Sequence, residues 1–255
     1  MKIVVCVKTV PDSSVTPSVE DGAVNWAAAP LLINPWDEYA VEAALRQKEA
    51  QGGSVTAVSV GDESALIALR QALAMGTDDA VHVTAPPGTP LDSLSVARIL
   101  AAAAGKLGGP DLVFCGRQGI DGESGLVPAQ LARLLGWPAL TLASSVQAEN
   151  GRVRIERTLE GGRQTLASSL PAVISLAKDF GEPRFPTFLN KRRADRLEIP
   201  HWTLADLGLA APAPRVTWSG AVPAPAREAS CEMLTGTPDE IAGQLVERLL
   251  AEGVL

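Results

Sequence analysis

Four times in its first 135 residues the chain alternates a short apolar run with a stretch of helical periodicity, and no other feature constrains the fold as much. The runs are Lys2–Val7 (KIVVCV), Ser54–Val60, Ala80–Val83 and Asp111–Cys115. They are continuously apolar rather than alternating, as in strands covered on both faces of a parallel sheet. After the first comes a polar loop, Lys8–Ala23, and then a helix with Asn34 in capping position and Pro35 at its first turn. Asp37 and Glu38 suit its positive end, and Trp36, Ala40, Val41, Ala44 and Leu45 form one stripe. Further helices are predicted from Asp62 to Gly76, over Ser93–Leu107, and from about Ser124 to Leu135. Such alternation predicts right-handed βαβ units in a doubly wound parallel sheet, the α/β class.

Beyond Gly136 the period changes. Val146–Ala148, Val153–Thr158 and Gln164–Ser169 read as short strands joined at Asn150-Gly151 and Gly161-Gly162, both strong hairpin signals. Pro171–Leu176 reads as another buried strand. From Gly181 the chain is Pro-rich and irregular, with one late helix at about Pro238–Ala251. The aperiodic stretch His201–Pro238 is expected to be an arm lying either on this domain or on a partner subunit. The expected organisation is thus an α/β domain over 1–200 with β-hairpin additions, and an extended C-terminal arm and helix over 201–255.

Composition excludes several classes. With 46% hydrophobic and 20% charged residues the chain is not globally disordered. A net charge of −7 argues against nucleic acid as a partner. The longest apolar runs, Ala27–Ile33 and Ile99–Ala104, are far short of the ~20 residues that cross a bilayer. Cys6, Cys115 and Cys231 are an odd count without a CxxC, so no disulfide framework is expected. His82 and His201 have no neighbour at metal-ligand spacing, so no metal site is expected. Met1–Val7 enters a strand with no apolar leader, and the expected setting is a reduced cytoplasm.

In an open parallel sheet, ligands bind outside the carboxyl ends of the strands, where the strand order switches. Here those ends are Val7-Lys8, Val60-Gly61 and Cys115-Gly116. The last opens a loop, Gly116–Gly125, with four glycines before a helix N-terminus. Its amides suit a phosphate, and glycine permits close backbone approach, Gly122 being the position expected to need positive φ. An ordinary strand-to-helix connection is the alternative. Neither GxGxxG nor GxxxxGK[ST] occurs. Gly122-Glu-Ser-Gly125 has the wrong spacing for a nucleophile elbow, and two histidines give a poor choice of bases. Asp121 and Glu123 read more simply as a ribose or backbone contact and a solvated first-turn acid than as an acid/base pair. A second feature is Gly181–Arg196 (GEPRFPTFLNKRRADR), an irregular basic segment in an acidic chain, with Phe185, Phe188 and Leu189 among its charges. Exposed apolar residues of that kind commonly mark a contact site.

Several stretches together resemble one family, the β subunit of the electron transfer flavoproteins. Val5–Asp12 (VCVKTVPD) is similar to its opening strand and loop, and Asn34–Glu49 to its NP..E.A.E.A...KE helix. Ala72–Asp78 (ALAMGTD) resembles ALAMGAD, Gly116–Asp121 the G(K/R)QAID loop, and Leu170–Val173 and Glu182–Phe185 the late LPAV and EPRY/F pieces. Where AMP-holding members read DDDxNQTG, residues 121–128 read DGESGLVP, closer to the DGDT of bifurcating and nitrogen-fixation-associated members. Leu126 replaces their Gln and Pro128 their Gly.

The resemblance implies a Rossmann-like, adenine-nucleotide-binding heterodimer subunit. An α subunit would carry most of the redox FAD, and this chain would share it and hold AMP or a second FAD. By position the nucleotide contacts fall on Cys6, on Asn34, Pro35, Trp36 and Asp37, and on Val60. The remainder are Gly116, Arg117, Gln118, Gly119, Ile120, Asp121, Gly122, Glu123, Ser124, Gly125, Leu126 and Val127. The implied role is that of an electron carrier without catalytic residues, serving flavin dehydrogenases such as acyl-CoA dehydrogenases and passing electrons to an acceptor such as a quinone reductase. Dehydrogenases would dock on the Phe185–Arg196 loop through Phe188 and Leu189, with Lys191, Arg192 and Arg193 aiding encounter. The rival reading is a stand-alone adenine-nucleotide-binding regulatory module. A nicotinamide dehydrogenase is disfavoured by the missing GxGxxG.

Overall fold

The computed structural model describes residues 1–85, 89, 91–217, 220–223 and 231–254. The described chain forms two compact units, Met1–Ala221 and Val222–Leu255. In chain order the first holds β1 (Lys2–Cys6), β2 (Thr9–Pro11), β3 (Ser18–Glu20), β4 (Ala23–Asn25), β5 (Leu31–Ile33) and α1 (Pro35–Gln51). Then follow β6 (Ser54–Gly61), α2 (Ala65–Met75), β7 (Asp79–Thr84), α3 (Ser93–Lys106), β8 (Leu112–Cys115) and α4 (Val127–Leu135). The rest are β9 (Ala139–Ala143), β10 (Ser145–Glu149), β11 (Arg152–Leu159), β12 (Gly162–Ser169), β13 (Ala172–Leu176), α5 (Phe188–Arg196) and β14 (His201–Thr203). The second unit holds α6 (Pro238–Ala251), opened by a capping box between Thr237 and Glu240.

Seven parallel strands in the order β14-β7-β6-β1-β8-β13-β9 make the main sheet. Its strands are apolar on both faces because both are covered. Ile3, Val5 and Val7 pack with α1 and α2, whereas Val4 and Cys6 pack with α3 and α4. The chain builds outward from β1 through β6 to β7, then returns to lay β8 on the other side of β1. The order therefore switches between β1 and β8, and their carboxyl ends, Cys6 and Cys115, stand directly opposite each other.

The strands β10, β11 and β12 form a separate antiparallel sheet, turning at Asn150 (φ 51°) and Gly151 (φ 74°) as the Asn-Gly pair predicts. Gln47 of α1 ties it to the main layer. Its buried amide donates to the Val146 carbonyl at 3.1 Å and accepts from the Ala148 N–H at 3.0 Å.

Four expectations need correction. The polar loop Lys8–Ala23 contains strands, including the β3–β4 hairpin turning at Asp21-Gly22. The fourth helix starts at Val127, not Ser124, because Glu123 (φ 48°) and Gly125 (φ 61°) are left-handed and end any continuous helix there. The segment after Gly181 is not wholly irregular: Thr187 caps α5 by accepting from the Asn190 N–H at 3.2 Å. Finally, His201–Thr203 is not aperiodic: it joins the sheet edge beside β7. Of the expected arm over His201–Pro238, residues 218–219 and 224–230 lie outside the described residues.

Candidate functional site

At the switch point lies a cleft of about 320 Å³. Its floor is the ends of β1 and β8, with Cys6 and Cys115 side by side. Both are free thiols, and the neighbouring Cys6 and burial push the Cys115 thiol well up, so it stays protonated. One wall is the loop from Gly116 to Val127 and another is Leu91, Asp92 and Val96 around the start of α3.

Asn34 is not the helix cap it resembles. Its amide reaches across the switch point instead, donating to the Gln118 carbonyl at 2.8 Å and accepting from the Ile120 N–H at 3.3 Å. One buried side chain thus fixes the entry of the glycine loop. Beside it Asp37, also buried, accepts from the Lys8 N–H at 2.8 Å. Lys8 in turn sends its ammonium to Asp121 at 2.6 Å. The β1–α1 and β8–α4 connections are thereby laced together by short polar links.

An added Cβ would clash at two places here, with backbone at Gly116 and with a side-chain end at Gly119. A Cβ on Gly116 would lie 2.3 Å from Asp37 Oδ1 and 2.7 Å from the Trp36 carbonyl carbon. One on Gly119 would lie 2.6 Å from Asp121 Oδ1. Gly122 is different from expectation: its φ is not in the left-handed region, and a Cβ there meets nothing within 4 Å. Close approach is a demand above all of position 116, where the loop crosses the backbone of α1.

Burial pushes the Asp37 carboxyl from 3.8 up to about 7, against the opposing pull of the Asn34 amide and the Lys8 N–H. The sign of its effect on stability follows. Between these values the folded protein keeps a proton that the unfolded chain releases, so the Asp37 contribution falls as pH rises through that window. Asp37→Asn should therefore flatten the decline in thermal midpoint between pH 5 and pH 8. Identical slopes in the two proteins would mean that the carboxyl is ionised throughout.

Of the predicted nucleotide contacts, Cys6, Asn34, Asp37, Val60, Gly116 to Gly119 and Asp121 to Val127 line the cleft. Pro35, Trp36 and Ile120 do not. The Trp36 ring lies 5.4 Å from the Arg117 guanidinium, and Ile120 gives its N–H to Asn34. Sequence reading missed Lys8, Asp92 and Val216. Lys8 directly follows the first strand end, which was the available signal. Asp92 caps α3 by accepting from the Ser95 N–H at 2.8 Å and takes the Arg215 N–H at 2.7 Å. That second bond, across 123 residues, brings Val216 to the cleft, and no local pattern encodes it.

Away from the cleft, α5 exposes Phe188 (73%) and Leu189 (77%), and Phe185 before it is 90% exposed. Lys191, Arg192 and Arg193 are exposed on the same helix, and the Arg192 guanidinium lies 5.9 Å from the Phe188 ring.

Residues 23–207 match the electron transfer flavoprotein domain family. The electron transfer flavoprotein subunit beta of Mycobacterium leprae is 36% identical over 265 aligned residues, covering 99% of each chain. Protein FixA of Azorhizobium caulinodans is 36% identical over 82% of this chain and 77% of its own. The acryloyl-CoA reductase electron transfer subunit gamma of Anaerotignum propionicum is 38% identical over 73% of this chain and 72% of its own. With the family match spanning most of the first unit and a relative aligned end to end, the chain belongs to the electron transfer flavoprotein family, on the side of its beta subunits.

Proposed function

We propose that this chain is the beta half of a cytoplasmic electron-carrying heterodimer. With an α subunit it would share a redox FAD, taking electrons from flavin dehydrogenases and passing them to a further acceptor. Its own cleft would hold an adenine nucleotide. The observation that carries the reading is convergence. Cys6, Asn34, Asp37 and all of Gly116–Val127 but Ile120, from the segments resembling the family, line the cleft at the switch point, where topology favours a ligand.

The residues present fit an adenine nucleotide. Gly116 lets the loop lie directly against the first turn of α1. Loop amides and the Lys8 and Arg117 cations would face phosphate, with Asn34 holding the loop in shape. Leu126 and Pro128 offer no side-chain or backbone donor respectively, so the phosphate contacts fall on the loop before them. A bound FAD supplies reversible electron transfer, and the chain's part is to bind, orient and shield it. Nothing in this role needs a general acid or base.

AMP suits a cleft near the lower end of the usual range for small-molecule sites. A specific observation favours the second reading, a second FAD: a neighbouring hollow of about 250 Å³ shares Lys8, Val60 and Leu91 with the cleft and gives room for a longer ligand. The absorbance spectrum and released nucleotides of the purified heterodimer separate the two. One flavin with AMP marks the first, two flavins the second. A chain that is a stable, colourless monomer without any α subunit, and binds AMP or ATP, would instead support a regulatory module.

A further inference from the structure

The apolar tip of α5 stands on a helix too short to hold itself. Nine residues make a marginal helix in water, and Ala194 is its buried side chain. The approach to it, Glu182–Thr187, carries two prolines and belongs to no regular element. Two arginines outside the helix supply what is missing.

Arg184 fastens the approach to α1. Its Nε donates to Glu42 Oε2 at 2.7 Å and its backbone N–H to the same oxygen at 3.2 Å. Its terminal nitrogens donate to the two Glu49 oxygens at 2.6 and 3.1 Å. Glu42 is only 5% exposed and also accepts from Arg46 Nε at 2.6 Å, so the receiving carboxylate is itself fixed. Arg46 is braced in turn, 4.9 Å from the Phe180 ring. The residue after Arg184 is Phe185, so the clamp sits directly beside the most exposed ring.

Arg70 of α2 fastens the other end. Its guanidinium donates to the carbonyl of Ala194 and, at 2.6 Å, to that of Leu197. Carbonyls at a helix C-terminus lack partners within the helix and carry its negative partial charge, so a cation there both satisfies and stabilises them.

We propose that Arg184 and Arg70 are positioning residues which hold α5 in one place against α1 and α2, so that Phe185, Phe188 and Leu189 meet a partner already ordered. This rests on the reading that dehydrogenases dock at α5. A helix ordered beforehand spares the complex the entropy of ordering it on contact, so losing an anchor should raise the partner concentration required and leave transfer within the complex alone.

The test uses the complete heterodimer carrying Arg184→Met, Arg70→Met, Arg70→Lys or Phe188→Ala. Two quantities are measured: hydrogen exchange of the α5 amides, and electron transfer from an acyl-CoA dehydrogenase reduced by its acyl-CoA, at varied dehydrogenase concentration. Both Met variants should exchange α5 amides about tenfold faster and raise the dehydrogenase KM about tenfold, with kcat and flavin content unchanged. Arg70→Lys, which keeps a cationic donor, should recover most of the loss. Wild-type exchange in both Met variants overturns the proposal. So does faster exchange with an unchanged KM, if Phe188→Ala raises KM in the same assay. An unchanged KM in Phe188→Ala as well defeats the docking reading and the proposal with it, while the exchange rates still report whether the arginines anchor the helix.

Discussion

Gly116→Ala should strip the proposed adenine nucleotide from the heterodimer and lower its thermal midpoint by roughly 5–10 °C, an effect of about 2–3 kcal/mol for a chain of this size. The single added carbon would sit 2.3 Å from Asp37 Oδ1, 2.7 Å from the Trp36 carbonyl carbon and 2.8 Å from its oxygen. No real Cβ tolerates such distances, so something must move. The atoms in the way are the backbone of the first turn of α1 and a buried carboxylate, not the free end of a flexible side chain. Asp37 is tied to the Lys8 N–H, and α1 is packed on the sheet through Ala40, Val41 and Ala44. The loop is therefore the part that yields, and with it go the bond that Asn34 donates to the Gln118 carbonyl and the one it accepts from the Ile120 N–H. Gly122→Ala is the control for stability, since a Cβ there meets open space and should leave the midpoint unchanged. Released nucleotide per heterodimer and the midpoint of each variant decide the matter. A Gly116→Ala protein with full nucleotide content and the wild-type midpoint would mean that the loop and α1 do not meet as described.

The difference between those two glycines also marks where sequence reading stopped. Gly116 and Gly122 look alike in a glycine-punctuated loop, and only the passage of α1 behind one of them distinguishes their roles. The sheet was legible because its strands are continuously apolar and its helices carry stripes, signals that are local and redundant. The ligand-bearing edge was legible too, as the carboxyl ends of three strands, but only the strand order singles out β1 and β8 among them. Asn34 was misread for a physical reason: an Asn before Pro at a helix start has the sequence of a cap, and its engagement by Gln118 and Ile120, more than 80 residues away, leaves no mark in the local pattern. The same holds for Asp92, whose bond to the Arg215 N–H draws Val216 to the cleft. In α5 the signal was present but masked. Thr187 before a run rich in Leu, Lys, Arg and Ala is a capped helix by ordinary rules, yet Pro183 and Pro186 just upstream made the whole segment read as irregular.

Phe188→Ala should raise the dehydrogenase concentration needed for half-maximal electron transfer by roughly thirtyfold, about 2 kcal/mol, while flavin content and chemical reduction of the flavin stay normal. Three large apolar side chains, Phe185, Phe188 and Leu189, are at least 73% exposed within five residues, on and just before a helix whose other residues are mostly charged. Solvated connections seldom carry such a group, and an aromatic side chain entering a partner's pocket is the usual form of an interface hot spot. The cations serve a different purpose. Lys191, Arg192 and Arg193 are exposed, so screening limits what they would add to affinity, but on the docking reading they would steer an acidic partner toward the helix. Reversing charge at Arg192 and Arg193 should therefore slow association and flatten its dependence on salt, with little change in the dissociation rate. The two kinds of variant thus separate by kinetics, Phe188→Ala acting mainly on dissociation and the charge reversals on encounter. If Phe188→Ala and Leu189→Ala both accept electrons as the wild type does at every dehydrogenase concentration, the exposed face of α5 is not where the electron donor docks.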